Sequence, residues 1–432
     1  MYHPDGGESS IELIGHAALR IRAEGRTLLL DPWFFEPIDG NATFHWPPLV
    51  HDLDALAANT DAIWISHIHP DHLDPRTLQR FPDHVPIYIG NYSNKGFRNQ
   101  LLAIGKDVRE IEFQREFQIP DTIFSVCLVE SDYNESAAYD SAIVIRLPEF
   151  TLFNNNDCFL SDEKYRWVAE RYRVDYGFLG YSPASYYPIC FEFETAEKNR
   201  LLKASSDRRY DDFLKVARLL APRLSVPFAM GIRFLHPDML WQNIQFNRAQ
   251  EAVRLARGQA LPAEVMCPGD RLDASGKIQR LSAAMDKDQE DLALAAHAET
   301  MRAEAVRVWD AEMPARPGLA EVFREYILEL WSRYGELFPE VGRCKIAYRL
   351  TGGTPDQFSF DFSRPSGQIF AWGDAATFDM RYSYPDKLLQ RRMDGEIDWD
   401  ELHFSNRVSV KQNHYAAQFY AMLRHHENSR NQ

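Results

Sequence analysis

The feature that most constrains this chain is the segment His67-Ile68-His69-Pro70-Asp71-His72. It places three imidazoles and a carboxylate within six residues, directly after the apolar residues 62–66, which predict a β-strand. A loop at the end of a strand can direct alternate side chains at one point. We therefore expect the first two histidines to bind one metal ion, and the Asp-His pair to bind a second ion beside it. The alternative is a solvated loop, which the combination of spacing and strand context disfavours.

Charge and cysteine content exclude several classes of protein. The 432 residues include 48 Lys and Arg and 63 Asp and Glu, a formal net charge of −15, which argues against nucleic acid or an anionic membrane as the main partner. Membrane-spanning runs and a secretory signal are absent from the sequence, which begins MYHPDGGESS. The five cysteines form no CxxC pair, which favours a reduced, cytoplasmic protein and excludes a cysteine-held zinc ribbon or Rieske cluster in this sequence.

The length predicts two domains, or one large domain with an appendage. The first half alternates short strands with helices, which favours a layered α/β sandwich. From about residue 249 to 340 the sequence is rich in Ala, Glu, Leu and Arg at helical spacing, and short strands return after Cys344. We predict a catalytic domain over residues 1–265, a helical connector over 266–340 and a small C-terminal α+β domain over 341–432.

The H-x-H-x-D-H pattern resembles that of the metallo-β-lactamase superfamily. Gly15-His16-Ala17, followed by a hairpin and Leu30-Asp31-Pro32-Trp33, is similar to the start of the first sheet of that fold. The resemblance implies an αββα sandwich with a dinuclear metal site. It also implies later ligands: usually a His, then a bridging Asp, then a final His.

Two later residues match these ligand positions. Asp157 follows the predicted strand 151–155 and matches the bridging Asp, since a carboxylate can share its two oxygens between cations; the alternative is an Asp in an Asn-rich turn. His236 lies just after the apolar residues 224–229 and matches the final His; the alternative is a helix-capping or packing histidine.

The remaining ligand position departs from the hydrolase pattern. An acidic residue ends the predicted strand 123–130 where a His is expected; Glu130 is favoured and Asp132 is the alternative. A hard oxygen donor there shifts the metal preference from zinc towards iron or manganese, although zinc also accepts carboxylates. A site of His, carboxylate and open positions is the type that activates dioxygen.

Within the superfamily, most of this chain resembles the CMP-sialic acid hydroxylase family, which also has an acidic residue near the position of Glu130. The matching segments are residues 30–33, 65–72, 86–91, 156–158, 227–229, 236–237 and 395–402. That family carries an N-terminal Rieske domain, whereas this sequence begins at the metallo-β-lactamase-like part, so electrons are expected from a separate protein, a small reductant or the substrate. The sequence has no evident nucleotide-binding signature, so the CMP-sugar substrate is not carried over. The C-terminal part resembles a sterol-carrier-type module in the order of its strands and helices.

These features support two main hypotheses. The first is a two-metal oxygenase, with iron favoured, that uses dioxygen to hydroxylate or oxidise a small polar substrate. The second is a dizinc or dimanganese hydrolase of a lactone, amide or phosphodiester, in which the ions lower the pKa of a bridging water. A metal-holding scaffold that binds a partner through its C-terminal domain is a third possibility, which the full ligand set disfavours.

The expected site residues follow from the first hypothesis. One ion is expected on His67, His69 and Glu130, the other on Asp71, His72 and His236, with Asp157 as the bridge. Asp71, Glu130 and Asp157 are also expected to act in catalysis. Substrate contacts are expected from His16, Ser182, Tyr186 and Arg233; His16 is alternatively a residue that orients a metal ligand.

Overall fold

A computed structural model describes residues 9–132, 139–281, 283, 285–353, 356–413 and 417–430. The strands of its first part are β1 (Ser10–Gly15), β2 (Ala18–Ala23), β3 (Arg26–Leu30), β4 (Thr43–His45), β5 (Ala62–Trp64), β6 (Ile87–Gly90), β7 (Val108–Ile111), β8 (Glu116–Gln118), β9 (Ser125–Glu130), β10 (Ser141–Arg146), β11 (Thr151–Asn156), β12 (Tyr176–Gly180), β13 (Leu224–Phe228), β14 (Ile232–Phe234), β15 (Arg271–Asp273) and β16 (Ile278–Gln279). The helices of the same part are α1 (Leu53–Ala57), α2 (Pro75–Leu78), α3 (Gly96–Ala103), α4 (Asp162–Arg171), α5 (Thr195–Leu220) and α6 (Ala249–Arg257), with a 3-10 helix at Pro237–Gln245.

The second part begins with two helices and continues as strands followed by helices. Its elements are α7 (Lys287–Asp310), α8 (Leu319–Tyr334), β17 (Lys345–Thr351), β18 (Gln357–Asp361), β19 (Phe370–Trp372), β20 (Met380–Pro385), α9 (Asp386–Met393), α10 (Trp399–Phe404), β21 (Ser409–Gln412) and α11 (Ala417–Arg430). Short 3-10 helices lie at Gly335–Leu337, Val341–Arg343 and Ser366–Gln368.

The first part contains two mixed sheets. The first sheet has the strand order β16-β15-β1-β2-β3-β5-β6-β7, and the second has the order β13-β12-β11-β10-β9-β8. In the first sheet β3, β5, β6 and β7 run parallel, and in the second sheet β11, β12 and β13 do. The first sheet continues beyond the predicted boundary at residue 265, because β15 pairs with β1.

Alternating side chains divide the apolar residues of each sheet between two cores. In β3, Leu28 and Leu30 face the core between the sheets, while Leu29 belongs to the core under helices α1 to α3. In β9, Leu128 likewise faces the inner core, while Val129 packs in the core that includes α4, α5 and α6. The layers therefore follow the order helix, sheet, sheet, helix, and the predicted αββα sandwich is confirmed.

The C-terminal unit, defined here as residues 319–430, has a hydrophobic core of its own. Its sheet has the order β19-β18-β17-β20-β21, and the core includes α8, α9, α10 and α11. A loop of the sandwich joins this sheet at its edge, where Val410 donates to the carbonyl of Cys190 at 2.9 Å and accepts from the amide of Glu192 at 2.8 Å. This pairing fixes the C-terminal unit against the sandwich.

Within the described part of the chain, none of the helices combines the length and the apolar composition that a membrane span requires. All five cysteines lie in that part, and each is a free thiol.

Candidate metal centre

The strand ends bring the site together at one edge of the sandwich. Because β3 and β5 are parallel, their carboxyl ends lie side by side, with Asp31 following β3 and the His67–His72 segment following β5. In the second sheet β11 ends at Asn156, so Asp157 lies at its carboxyl end. Such edges are the usual place for ligand sites in α/β folds.

The histidines and aspartates of these loops form three overlapping groups. Among the described residues, the ligating atoms lie within 4.8 Å of one another in each group. The groups are His16, Asp71 and His72; His67, His69 and Asp71; and His67, His72 and Asp157. Each group therefore consists of two histidines and one aspartate.

Asp31 fixes the ring of His72. The carboxylate can only accept, so His72 Nδ1 carries the proton and donates to Asp31 Oδ2 at 3.1 Å. Asp31 also accepts from the amide and hydroxyl of Ser66, at 2.7 and 2.8 Å, and from the side-chain amide of Asn156. In the neutral ring this tautomer leaves the lone pair of His72 Nε2 free, and that atom is buried without a hydrogen-bond partner among the described residues. It lies 3.8 Å from carboxylate oxygens of both Asp71 and Asp157.

Hydrogen bonding also fixes the tautomer of His67. The hydroxyl proton of Ser66 is used on Asp31, so Ser66 Oγ accepts from His67 Nδ1 at 2.9 Å. The carboxylate of Asp140 lies 3.6 Å from the same ring nitrogen. His67 Nε2 is therefore the ligating atom, and it lies 2.9 Å from His69 Nδ1. Two ring nitrogens this close face the same small space, as two ligands of one ion do.

The far side of the His69 ring contacts the C-terminal unit. Its Nε2 lies 3.9 Å from Asp400 Oδ2, and its ring packs edge-on against Phe404 with the centroids 5.5 Å apart. Both partners belong to α10, where residues four apart share one face.

His16 supports Asp71 rather than offering a free lone pair. The amide of Gly231 donates to His16 Nδ1 at 3.0 Å, so the proton of the neutral ring lies on Nε2. That atom is 3.0 Å from Asp71 Oδ2. The predicted alternative, a residue that orients a ligand, fits this geometry better than a role as a ligand.

Backbone strain marks the loops that carry these side chains. His16, Asp31 and Asn156 have φ angles of 43°, 39° and 42°, in the left-handed region that non-glycine residues rarely adopt. Such conformations cost about 1–3 kcal/mol each and persist where the surroundings impose them. Asp31 accepts from Asn156 and holds His72, and the His16 ring packs edge-on against that of His72 with the centroids 5.4 Å apart.

The charges of the site favour bound cations. Burial alone would lower the pKa of His72, yet the carboxylates of Asp71 and Asp31 raise it to about 10, so without a cation the ring holds a second proton that a bound metal ion would replace. Burial, together with the neighbouring Asp157, raises the pKa of Asp140 well above its usual range. Burial and the charge of Asp71 also raise the pKa of Asp39 to about 7. Buried carboxylates thus outweigh the available positive charge, which a divalent ion would balance.

The donor set fits metal ions on chemical grounds. The unpartnered Nε2 of His72 is an orphaned polar atom in a fully buried ring, aimed at two carboxylates. His67, His69 and His72 each present one nitrogen to the cluster while the other contacts an acidic or hydroxyl group, which is the usual arrangement around metal-bound histidines.

Two predicted ligands lie outside this cluster. Glu130 and His236 are in none of the three groups that the described residues form. Glu130 is exposed, and its carbonyl accepts from Lys164 Nζ at 2.7 Å. His236 caps the 3-10 helix by accepting from the amide of Asp238 and stacks on Trp309 with the centroids 3.6 Å apart. The helix-capping alternative therefore describes the position of His236.

The predicted substrate contacts are dispersed. Ser182 lines the cavity over the cluster, and its hydroxyl accepts from the amide of Asn247 at 2.9 Å. Tyr186 packs against the core of the C-terminal unit. Arg233 is buried beside a smaller cavity of about 80 Å³ and donates to the carbonyl of Ile232 at 2.6 Å.

The cavity over the cluster has a volume of about 450 Å³. Its floor includes His67, His69 and Asp71, and one wall comes from α5. The C-terminal unit provides Asp400, Phe404 and Arg424, among other residues. Both parts of the chain therefore enclose the space next to the candidate metal centre.

The sequence pattern alone did not identify Asp140 and Asp400 as site residues. Asp140 directly precedes β10, and Ser141 pairs with Glu130, so the two ends of this hairpin return to the same edge of the sheet. Because this register cannot be read from the sequence, no local pattern marked Asp140. Asp400 lies far along the sequence, and only its position in the resembling segment 395–402 set it apart.

Comparison with known proteins supports the architecture. Residues 10–127 match the family model described as "Beta-lactamase superfamily domain". Curated relatives include the cytidine monophosphate-N-acetylneuraminic acid hydroxylases of Macaca mulatta, 25% identical over 245 residues, and of Mus musculus, 26% identical over 248 residues. The matches cover 54% of this chain and 40% and 41% of those relatives, so the similarity spans about two fifths of their length.

Solved structures with similar architecture differ in activity. CmlA, a diiron beta-hydroxylase from Streptomyces venezuelae, is 20% identical and aligns over 65% of this chain and 55% of its own, with a TM-score of 0.45. Igni18, a metallo hydrolase from Ignicoccus hospitalis, is 15% identical and aligns over 64% of this chain and all of its own, with a TM-score of 0.44. At this level of similarity neither structure decides the reaction. Residues 10–127 of this chain are thus similar to a beta-lactamase superfamily domain, and about half of the chain is similar to the cytidine monophosphate-N-acetylneuraminic acid hydroxylases.

Proposed function

We propose that this protein is a dinuclear metalloenzyme, a non-heme diiron oxygenase that uses dioxygen to hydroxylate or oxidise a small polar substrate. The observation that carries the proposal is the composition of the two groups that lack His16, each with two histidines and one aspartate: His67, His69 and Asp71, and His67, His72 and Asp157. Two histidines and one carboxylate with open positions are the ligand set of non-heme iron oxygenases. The hydroxylase activity of the curated relatives supports the same class of reaction.

The proposed ligands are the five residues whose free donor atoms converge: His67, His69, Asp71, His72 and Asp157. Asp157 is the proposed bridge, because it alone comes from the second sheet and its side chain is partly open to the cavity. Glu130 and His236 are not included, because neither belongs to the groups that the described residues form.

The chain's residues would hold and shield the reacting centre. Bound iron would supply the electrons that reduce dioxygen. Asp31, Asp140 and Ser66 keep His72 and His67 in the tautomers that present a lone pair. His16 directs its Nε2 proton at Asp71 and so limits that carboxylate to one orientation. The enclosing cavity excludes bulk water from the bound substrate.

The cavity also supports the proposed substrate size. A volume of about 450 Å³ suits a small molecule, and its mixed lining offers apolar walls near Phe234 and Phe246 and polar groups at Ser182 and Arg209. An electron donor is part of the proposal, because ferric ions would have to be reduced to the ferrous state before they could reduce dioxygen, with electrons from a separate protein, a small reductant or the substrate.

A dizinc or dimanganese hydrolase is the second candidate. Glu130 is exposed and lies outside the groups that the described residues form. This favours the hydrolase, because iron was preferred over zinc on the expectation that Glu130 is an acidic ligand. Three histidines with two aspartates also suit zinc, and the ions would then activate a bridging water.

Reoxidation of the iron-loaded protein separates the two candidates. After anaerobic loading with Fe²⁺, the wild-type protein should bind two irons per chain, and exposure to oxygen should produce ferric absorption within seconds. Asp157→Ala is the matched variant, because the Asp157 side chain is partly exposed and lies 3.8 Å from His72 Nε2. It should retain at most one iron and reoxidise at least tenfold more slowly. Iron that reoxidises equally slowly in both proteins, together with ester or lactone hydrolysis by the zinc-loaded wild type, would instead support the hydrolase.

A further inference from the structure

The three histidines of the centre share one arrangement. In each, a carboxylate approaches the ring nitrogen that faces away from the cluster: Asp140 for His67, Asp31 for His72 and Asp400 for His69. The first two carboxylates belong to the sandwich, whereas Asp400 belongs to the C-terminal unit. We infer that Asp400 is a positioning residue for His69 and that the C-terminal unit thereby completes the metal centre.

The ring of His69 is held from two directions. His69 Nδ1 lies 2.9 Å from His67 Nε2; if both nitrogens bind one ion, the His69 proton lies on Nε2, which faces Asp400 Oδ2 at 3.9 Å. Phe404, four residues later on the same face of α10, packs against the ring at nearly a right angle. At 3.9 Å the carboxylate attracts that proton electrostatically, without a direct hydrogen bond, and the phenyl ring limits rotation of the imidazole.

Asp400 is itself fixed within the C-terminal unit. Its Oδ2 lies 2.9 Å from a guanidinium nitrogen of Arg424, and its Oδ1 accepts from the hydroxyl of Tyr420. Helix α10 begins with a capping box between Asp398 and Glu401, which fixes its first turn. A buried carboxylate with two partners on α11 is thus directed at a residue of the sandwich.

This inference rests on the proposed metal centre, and it adds a dependence on the C-terminal unit that the ligand set does not require. A carboxylate behind a metal-bound imidazole typically raises metal affinity 10–100-fold. If Asp400 only paired with Arg424, its loss would affect folding and leave metal affinity unchanged.

The test is Mn²⁺ binding by Asp400→Asn, followed through the electron paramagnetic resonance signal of the free ion. The full-length variant should bind one of the two ions 10–100-fold more weakly than the wild type. The matched control is Asp394→Asn, which removes a carboxylate that also pairs with an arginine of the second part of the chain, Arg316, away from the site. The control should bind both ions as the wild type does. Equal affinity in Asp400→Asn and the wild type would overturn the inference.

A second measurement needs no variant, in case Asp400→Asn does not fold. Hydrogen exchange of the wild type with and without Mn²⁺ should show slower exchange in α10 on loading, with α9 unchanged, because the ion fixes the residue that α10 contacts. Unchanged exchange in α10 would contradict the inference. A wild type that binds no Mn²⁺ or Fe²⁺ would refute the proposed function itself, whereas two ions bound with no response in α10 would refute only the role of Asp400.

Discussion

At the scale of residues, the tautomers decide which atoms can bind metal. Asp31 and Ser66 accept hydrogen bonds from Nδ1 of His72 and His67, so the Nε2 atoms of these rings remain available as metal ligands. The same reasoning excludes His16 as a metal ligand, because the amide of Gly231 occupies its Nδ1 lone pair. A histidine such as His16, which lies within ligating distance of the other residues in its group, is therefore not always a metal ligand.

Substitutions at Asp140 and Glu130 test which of these two acidic residues supports iron binding. Asp140→Asn replaces a buried carboxyl group 3.6 Å from His67 Nδ1 and should lower Fe²⁺ affinity about tenfold, the lower end of the range for such partners. Glu130→Gln changes an exposed side chain outside the ligand groups and should leave affinity unchanged. Competition with a coloured Fe²⁺ chelator measures both. Loss of iron in Glu130→Gln with full retention in Asp140→Asn would restore Glu130 as the acidic ligand.

At the scale of elements, the sequence predicted what depends on local spacing. The 67–72 segment follows from its own spacing and from the apolar residues 62–66 before it, and the structure has β5 (Ala62–Trp64) there. The succession of short strands and helices likewise indicated a layered α/β sandwich. The sequence could not indicate which end of the β9–β10 hairpin faces the site, because that depends on strand register. The contact of α10 with His69 was also beyond local patterns, because it depends on how two cores pack together.

One buried ion pair links the elements on which this packing depends. Glu312, which follows α7, is paired with Arg407 near β21 through both guanidinium nitrogens, and Arg407 also donates to the carbonyl of Gly40 at 2.8 Å. The side chains are only 2% and 7% exposed. This pair therefore joins the sandwich, the helical segment and the C-terminal unit.

Glu312→Ala should lower the free energy of unfolding by about 3 kcal/mol, because it leaves the buried charge of Arg407 without its partner. Urea denaturation followed by circular dichroism measures this change. Glu299→Ala is the matched control: it removes an exposed partner of Arg302 on α7, and its unfolding curve should overlay that of the wild type. Equal curves for both variants would show that the Glu312 pair does not hold the elements together.

At the scale of the whole molecule, the centre joins three parts of the architecture. His67, His69, Asp71 and His72 follow a strand of the first sheet, Asp157 follows a strand of the second, and the C-terminal unit closes the cavity over them. Two metal ions bound in this position would link the two sheets at the edge where their parallel strands end. The fold therefore explains why ligands so far apart in sequence can converge.

The central claim is that these five side chains hold two adjacent metal ions. Anomalous diffraction at the iron absorption edge, from crystals of the Fe²⁺-loaded protein grown without oxygen, tests it most directly. The account predicts two peaks within coordination distance of His67, His69, Asp71, His72 and Asp157, with Asp157 between them. The absence of peaks at this edge of the sandwich, or peaks bound instead by other residues, would contradict it.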